Sequence, residues 1–511
     1  MRSIFLSIIF YCCFFFAGCT QSRSPLEKTF RLAWENVPRS IDPRYTIDAD
    51  SQYLEDFIHC SLISFDRLGQ MTKSLASGMR WIDSKTLEVT LRRGVYFSNN
   101  QEITAQDVQA NFDFYIKKEG ERSPHSANFS DLKSVEVVQK DQLLFHLSQS
   151  NGDFTTLLSL GLLPQKLAAG ARISDPKKII GCGAFQIEEW AVGHILLKRR
   201  DLNSSKEVKY IHIAFVKDEN TRFLKLRNSE LDLVQNSINR DQLGRIQDYK
   251  HLRLLRAPGM NTTYLGFQYS DPILRDQRVR LAIAHSIDRK KIIEHIFHGW
   301  AIPATTILAP FDRYFNPSLK PLKYDVNEAM RLLDAAGFPR KGRDLSEPRF
   351  TLKLKTTTNA TRLMVAHALA EEFRRVGIAL EIESMDWGKF KSDVDQGNAQ
   401  LWNLNWIGIR GPDIYRFAFS TESIPPYGAN RGRVSHPQLD QLVLKARAEI
   451  DFEKRRLLYN QAQEIVNEEV PYVFLWHEDQ YAVVHQRVKN YELYADGRLV
   501  GIENVSFSAE K

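Results

Sequence analysis

Alternation of hydrophobic and polar residues predicts strands at three places in the chain. Apolar residues occupy every second position within residues 87–92, 350–354 and 378–382. A repeat of two residues puts the apolar side chains on one face of a strand, which is then buried. Between the second and third strands, the apolar residues have the spacing of a helix. The apolar residues on the inner face of that helix are Ala366, Leu369, Ala370 and Phe373.

The strand–helix–strand order between residues 350 and 382 has a defined topology. Two strands joined through a helix by short connections form a βαβ unit, and its strands are parallel. Strand and helix patterns go on alternating along most of the chain. We therefore predict an α/β fold made of several domains.

Capping residues predict where other helices begin. Thr104 with Asp107, and Asp325 with Glu328, have the spacing of a capping box. A third helix begins at Asp276. Apolar residues after each start fall on one helical face and are predicted to be buried. They are Val108, Phe112 and Tyr115, then Leu332 and Leu333, then Val279, Ala282, Ile283 and Ile287.

The N-terminus has the pattern of a secretory signal. Arg2 precedes an apolar run from residue 4 to residue 16, which is shorter than the roughly 20 residues of a membrane-spanning helix. The run ends in Phe16-Ala17-Gly18-Cys19 and resembles the lipobox of bacterial lipoproteins, with Phe16 in the usual place of Leu. We expect residues 1–18 to be removed and Cys19 to carry lipid. The alternative is an ordinary cleaved signal in which Cys19 has no special role.

Composition narrows the function classes. The chain has 511 residues, of which 43% are hydrophobic and 26% charged, and its formal net charge is +7 at pH 7. A chain of this length is too long to fold around a single hydrophobic core, so we predict two or three domains. The 69 basic and 62 acidic residues are interspersed, whereas a nucleic-acid binder concentrates basic residues on one stripe. We therefore expect no nucleic-acid partner.

Two cysteines remain once the signal and the proposed anchor are set aside. Cys12 and Cys13 leave with the signal, which leaves Cys60 and Cys182. Outside the cytoplasm a pair of cysteines favours a disulfide. The alternative is two buried thiols that pack as small apolar residues.

Motifs that carry enzyme chemistry are absent from the sequence. It contains no H-E-x-x-H zinc motif, no G-x-x-x-x-G-K-[ST] phosphate loop and no G-x-S-x-G nucleophile elbow. We therefore predict a protein that is not an enzyme, with no catalytic residues, no metal site and no cofactor.

Several segments match the motifs of one known family, in that family's order. They are Asp42-Pro43, residues 60–66, residues 91–97 with 103–108, residues 181–190, residues 278–289, residues 324–339, and Asp386-Trp387. On these segments the chain resembles the large extracellular solute-binding proteins of the peptide/nickel class, which feed ABC importers. The resemblance covers nearly the whole mature chain, and residues 91–108 are its most specific part.

The resemblance implies a two-lobed periplasmic-binding-protein fold with mixed sheets and a hinge that the chain crosses twice. Residues 19–26 would be a lipidated tether. Lobe one would comprise residues 27–262, with an extra subdomain, and a C-terminal return over 479–511, and lobe two residues 263–478. A monomer of this kind would sit outside the cytoplasmic membrane, held by its lipid anchor. It would close on a ligand and deliver it to permease subunits.

Lobe two of the family carries a ligand-binding segment that aligns with residues 405–413. Asn405, Trp406, Ile407 and Gly408 fit the pattern, but Ile409 stands where peptide-binding members place an Asp for the ligand's ammonium group. An isoleucine cannot offset the desolvation of that charge. Arg410 follows directly.

Three interpretations of this departure stay open. In the first, Asp413 or Asp48 binds the amine and the ligand is a peptide. In the second, Arg410 binds an anionic group on a different ligand, since guanidinium suits carboxylate or phosphate. In the third, Arg410 faces water or pairs with Asp413.

Further positions follow from the resemblance. Ile47, Asp48 and Ala49 align with the segment that pairs with ligand backbone, and His125 falls where an aromatic residue often lines the cleft. Trp387 and Trp406 would bracket the ligand. The alternatives are core packing for Trp387 and a solvated loop for His125.

We therefore expect the substrate-binding component of an ABC importer that captures oligopeptides or a similar small solute. One alternative is a receptor of the same fold for a metal chelate, haem or an anionic solute, bound through Arg410. Another is a sensor lipoprotein without transport.

Overall fold

The computed structural model describes residues 28–117, 122–340, 347–409 and 411–508. The elements before residue 258 are β1 (Thr29–Trp34), α1 (Ala49–Ile58), β2 (Ile63–Phe65), β3 (Met71–Lys73), β4 (Ala76–Asp83), β5 (Thr86–Leu91), α2 (Ala105–Ile116), β6 (Leu132–Gln139), β7 (Gln142–Leu147), α3 (Gln165–Ala168), β8 (Phe185–Trp190), β9 (His194–Arg199), β10 (Tyr210–Phe215), α4 (Glu219–Arg227), β11 (Leu233–Gln235), α5 (Arg240–Leu243) and β12 (Leu252–Ala257).

A second group of elements follows, and the chain then returns to the first. The second group is β13 (Thr262–Phe267), α6 (Gln277–Ser286), α7 (Arg289–Phe297), β14 (Ala301–Pro303), α8 (Val326–Ala335), β15 (Phe350–Thr357), α9 (Ala360–Arg374), β16 (Ile378–Met385), α10 (Trp387–Gln396), β17 (Leu401–Trp406), α11 (Ile414–Phe419), α12 (Pro437–Ala448), α13 (Phe452–Glu469) and β18 (Tyr472–Glu478). The return comprises β19 (Gln480–His485), β20 (Val488–Lys489) and β21 (Ser506–Phe507).

The first lobe is built on a seven-stranded sheet of order β12-β19-β11-β1-β10-β9-β8. Strand β1 pairs in parallel with β10 and β11, whereas β19 runs antiparallel to β11 and β12. Apolar cores cover both faces, since Leu32 and Trp34 belong to one and Ala33 to the other. Parallel and antiparallel pairs together make the predicted mixed sheet.

A separate subdomain extends the first lobe. Its antiparallel sheet has the order β4-β5-β7-β6, and α2 packs on it through the predicted residues Val108, Phe112 and Tyr115. Both halves of the predicted capping box form at the start of α2, where the Thr104 N–H donates to Asp107 Oδ2 at 2.9 Å. The helix predicted after Thr104 is therefore confirmed.

The second lobe is built on a six-stranded sheet of order β14-β18-β13-β17-β15-β16. Strands β15 and β16 are parallel in the register Phe350↔Ile378, with α9 connecting them, so the predicted βαβ unit is confirmed. Asp325 caps α8 by accepting the Glu328 N–H at 2.9 Å. Together the sheets confirm the predicted α/β fold. Among the described residues, no helix is both long enough and apolar enough to cross a bilayer.

The chain passes between the lobes at two neighbouring places. Residues 258–261 join β12 to β13, and Asp479 joins β18 to β19. The crossings run side by side, because β12 pairs with β19 and β13 pairs with β18. They approach so closely that a Cβ on Gly259 would lie 2.1 Å from the Glu478 carbonyl oxygen. These two crossings form the hinge.

A buried histidine lies on one hinge strand. His477 is 1% exposed, and its Nδ1 lies 3.0 Å from Thr262 Oγ1, which itself donates to the Ile307 carbonyl oxygen at 2.7 Å. Because that hydroxyl hydrogen is used, Nδ1–H donates to Oγ1, and the imidazole is neutral with its lone pair on Nε2. Burial lowers the pKa of His477 to about 4.

Cys60 and Cys182 form a disulfide. The bond connects the residues after α1 to the residues before β8, across a sequence separation of 122. Of the two possibilities that the sequence left open, the structure has the paired one.

We expect loss of this disulfide to lower the free energy of unfolding by about 2–4 kcal/mol, because a long loop of the unfolded chain is no longer closed. Urea unfolding of the wild type with and without reductant measures the effect. The Cys60→Ala/Cys182→Ala variant is the control and should not respond to reductant. Identical midpoints for wild type and variant would contradict this expectation.

We expect His477 to make the protein sensitive to acid. Its pKa is lower in the folded state than the usual 6.5, so the folded protein binds fewer protons and loses stability as the pH falls from 6.5 towards 4. The loss is about 3 kcal/mol for this group. Urea unfolding at pH 7 and pH 4 should show a smaller loss for His477→Asn, whose amide still donates to Thr262. Parallel losses in both proteins would refute the assignment.

Candidate functional site

A cleft of about 670 Å³ lies between the two lobes beside the hinge. Strand ends form much of its wall. Glu35 follows the last residue of β1, Asn405 is the penultimate residue of β17, and Glu478 ends β18. Ligands of open α/β sheets bind beyond the carboxyl ends of the strands, where loops and helix starts converge. The position and volume of this cleft are those of a small-molecule site.

Glu478 lies at the centre of a polar cluster on the second-lobe wall. Its Oε1 accepts from Thr263 Oγ1 at 3.1 Å and from Asn405 Nδ2 at 3.5 Å. These donors fix the carboxylate beside the hinge, where both lobes reach it. A carboxylate held in this way can bind a ligand's ammonium group.

Arg362 provides the opposite charge on the same wall. It belongs to the first turn of α9, and its Nη1 donates to the Asn403 carbonyl oxygen at 3.1 Å. Burial lowers the pKa of Arg362, and the charge of Glu478 opposes that shift. The N-terminus of α9 also lines the cleft, and helix N-termini favour negative charge. This side of the wall therefore suits a carboxylate.

The first-lobe wall is acidic. Glu35 is exposed, and Glu219 at the start of α4 is exposed beside it in the cleft lining. Helix α4 has one buried cationic residue, Arg222. It donates to the backbone carbonyl oxygens of Val216 and Lys217 at 2.7 and 2.9 Å. Carboxylates thus face the cleft from this lobe.

The predicted segment 405–413 passes from the cleft to the protein interior. Asn405 lines the cleft, and the Gly408 N–H donates to Asn261 Oδ1 in the hinge at 3.1 Å. Gly408 has a φ of +64°, which explains a glycine at this turn. Ile409 is 7% exposed and belongs to an apolar core of the second lobe. Arg410 lies outside the described residues.

The two acids predicted to bind an amine are engaged with their own chain. Asp413 accepts two bonds from Arg416, at 2.9 and 2.8 Å. Asp48 caps α1 by accepting from the Ser51 N–H at 3.0 Å and from Ser51 Oγ at 2.7 Å. A ligand ammonium group would have to compete with these partners.

The two predicted tryptophans differ in their surroundings. Trp387 begins α10, is 55% exposed and lies 5.9 Å from Phe390 between ring centroids. Trp406 is half-buried, stacks on Tyr264 at 6.1 Å and has the Arg431 guanidinium 5.3 Å above its ring. Trp406 thus packs against the second-lobe core.

The predicted first-lobe residues lie together. Ile47 is 70% exposed just before α1, with Asp48 and Ala49 following it. His125 is half-buried, its ring lies 6.4 Å from that of Tyr115, and a hydrogen bond to the backbone of Thr46 ties it to the same segment. Burial lowers the pKa of His125. Ile407, on the other lobe, is 71% exposed.

Sequence reasoning missed every charged residue that lines the cleft. They are Glu35, Glu219, Arg222, Asp241, Arg362, Glu478 and Asp479. One signal was available, since Glu35 directly follows the alternating residues 29–34 of β1. The meeting of Glu478 with Thr263 and Asn405 depends on strand pairing across more than 70 residues of sequence.

Comparisons with known proteins place this geometry in context. A family model described as bacterial extracellular solute-binding proteins, family 5 Middle, matches residues 71–423. The oligopeptide-binding protein AppA of Bacillus subtilis (strain 168) is 22% identical over 98% of this chain and 97% of its own length. The dipeptide-binding protein of Escherichia coli (strain K12) is 24% identical, with 95% and 96% covered.

A solved structure has the same fold. NikA from Brucella suis in complex with Fe(III)-EDTA superposes with a TM-score of 0.84, at 21% identity, over 94% of this chain and 100% of that chain. The two-lobed architecture is therefore shared along nearly the whole length.

The two kinds of acid in this region should respond differently to substitution. Asp413→Asn should lower the free energy of unfolding by about 1–2 kcal/mol, because Arg416, 20% exposed, loses two charge-assisted bonds. Glu35→Gln should change it by less than about 0.5 kcal/mol, because Glu35 is exposed. Urea unfolding of the ligand-free protein measures both. Equal losses would contradict a structural role for Asp413.

Proposed function

The chain belongs to the bacterial extracellular solute-binding proteins of family 5, and on that premise we propose that it captures a short peptide, or a similar solute with both charges, for an ABC importer. The observation that carries the proposal is the cleft of about 670 Å³ with charges of both signs on its walls. Sites for small ligands have volumes of this order.

The ligand's two ends would meet different residues. Its ammonium group would face Glu478 and Glu35, which come from different lobes and would therefore be brought together by closure. Its carboxylate would face Arg362 and the N-terminus of α9. This arrangement compensates for the Asp that is missing at position 409. The negative charge comes from residues at strand ends instead of from residues 405–413.

Closure would follow from the two crossings of the hinge. A ligand that contacts both lobes binds the closed form better and shifts the equilibrium towards it. Permease subunits would recognise that form. We propose lobe bounds at residues 27–262 with 479–511 and at residues 263–478. The proposed ligand contacts are residues 47–49, His125, Trp387 and residues 405–413.

The protein would act as a monomer outside the cytoplasmic membrane. Its lipid anchor at Cys19 and the tether of residues 19–26 are proposed from the sequence alone, because these residues lie outside the described part of the chain.

A second candidate is a receptor for a metal chelate, haem or an anionic solute. The structure of NikA with Fe(III)-EDTA shows that a protein of this fold holds a chelate. Arg362, and Arg410 if it reaches the cleft, would supply the positive charge. A sensor with the same cleft but without transport is the remaining alternative.

Native mass spectrometry of the protein purified without denaturant tests the proposal, followed by unfolding to identify what is released. We expect a ladder of short peptides. Glu478→Gln should bind a representative released peptide at least tenfold more weakly, which corresponds to about 1.4 kcal/mol.

Glu468→Gln is the matched control for that variant. Glu468 is exposed on α13, in the same lobe but away from the cleft. The affinity of Glu468→Gln for the same peptide should therefore equal that of the wild type. A single non-peptide species, bound equally by wild type and Glu478→Gln, would refute the peptide proposal and support the second candidate.

A further inference from the structure

The lobes also touch at a second place, where residues 150–153 of the first lobe lie against α12 and α13 of the second. The Gly152 N–H donates to the carbonyl oxygen of Arg447 at 2.6 Å, and Ser150 Oγ donates to the carbonyl oxygen of Ala448. One bond is between main-chain atoms and the other is from a side chain to the main chain, and both connect segments almost 300 residues apart in sequence. They hold the end of α12 against the subdomain of the first lobe.

An ion pair connects the lobes at the same place. Arg447 Nη2 lies 2.7 Å from Asp131 Oδ2, and the two side chains are 16% and 5% exposed. Asp131 is positioned by its own lobe, because Gln149 Nε2 and Asn151 Nδ2 donate to its oxygens at 2.6 and 2.9 Å. The position of the Asp131 carboxylate is therefore fixed by first-lobe residues alone, whereas Arg447 belongs to the second lobe.

A second carboxylate of the first lobe is inserted into the second lobe. Asp153 is 7% exposed, and its Oδ2 accepts from the hydroxyl of Tyr459 at 2.8 Å. Its Oδ1 lies 3.6 Å from Nε of Arg455, which donates to the Tyr314 hydroxyl at 2.8 Å. Separation of the lobes would break each contact between Asp153 and these residues.

The approach of the lobes here requires a residue without a side chain. A Cβ on Gly152 would lie 2.0 Å from Arg455 Nη1 and 2.1 Å from the Glu449 carbonyl oxygen, both in the second lobe. The residues that line the small cavity at this contact, Asp153, Tyr314 and Arg455 among them, differ from those that line the ligand cleft. This contact is therefore a separate connection between the lobes.

We propose that Asp131 and residues 150–153, with Arg447, Arg455 and Tyr459, form an inter-lobe latch that sets the balance between open and closed forms. The latch determines ligand affinity without touching the ligand, and this part of the inference depends on the proposed function. Ligand binding is weakened in proportion as the closed form becomes rare. When the lobes separate, the charged side chains of the latch become hydrated again. This hydration offsets much of their mutual attraction, so the open form stays populated.

Small-angle X-ray scattering tests the latch, on protein freed of co-purified ligand by unfolding in denaturant and refolding with the disulfide intact. Gly152→Ala should increase the radius of gyration, because the three atoms nearest to the added methyl group all belong to the second lobe and the clash is relieved when the lobes separate. Gly244→Ala is the matched control. Gly244 is also in the first lobe, has a φ of −62° and has no atom within 4 Å of an added Cβ. The radius of gyration of Gly244→Ala should therefore equal that of the wild type.

Tyr459→Phe gives a second and milder variant, since it keeps the ring in the core and removes only the bond to Asp153. It should shift the open-to-closed ratio in the same direction, by several-fold. Equal radii for all four proteins would overturn the proposal, and so would a lower thermal stability of Gly152→Ala without expansion. Because the refolded protein holds no ligand, an incorrect proposed function would not affect this result.

Discussion

The two crossings between the lobes are the constraint on which the rest of the structure depends. Strands β12 and β19 pair in one sheet, β13 and β18 pair in the other, and the chain passes from each pair to the other within a few residues. The crossings must lie in contact, which Gly259 permits. They also bring Glu478, at the end of a second-lobe strand, next to the first lobe, so residues at the hinge form part of the cleft wall.

Local patterns were sufficient for those parts of the fold that local interactions decide. The alternation at Phe350 and Leu352, and the capping residues Thr104 and Asp107, depend on neighbours within a few positions. Strand order was not accessible in this way, because β19 enters the first-lobe sheet between β11 and β12 from the far end of the chain. The pairing of Cys60 with Cys182 stayed open for the same reason.

The candidate site was less predictable than the fold. The resemblance aligned residues 405–413 with a binding segment, but an alignment does not state where a side chain turns. Ile409 turns into an apolar core, and Asp413 is paired with Arg416, an interaction within one turn of α11 that spacing alone does not distinguish from a free acid. The charges in the cleft come from strand and helix ends, and their proximity is fixed only by tertiary structure.

The position of β19 also governs when the protein can become folded during its synthesis. Two strands of the first-lobe sheet, the edge strand β12 and its neighbour but one β11, both pair with β19, residues 480–485. Until those residues leave the ribosome, the sheet lacks the strand that connects β12 to β11, and the lobe that emerges first is completed last. The first lobe is thereby kept from finishing its fold before translation ends.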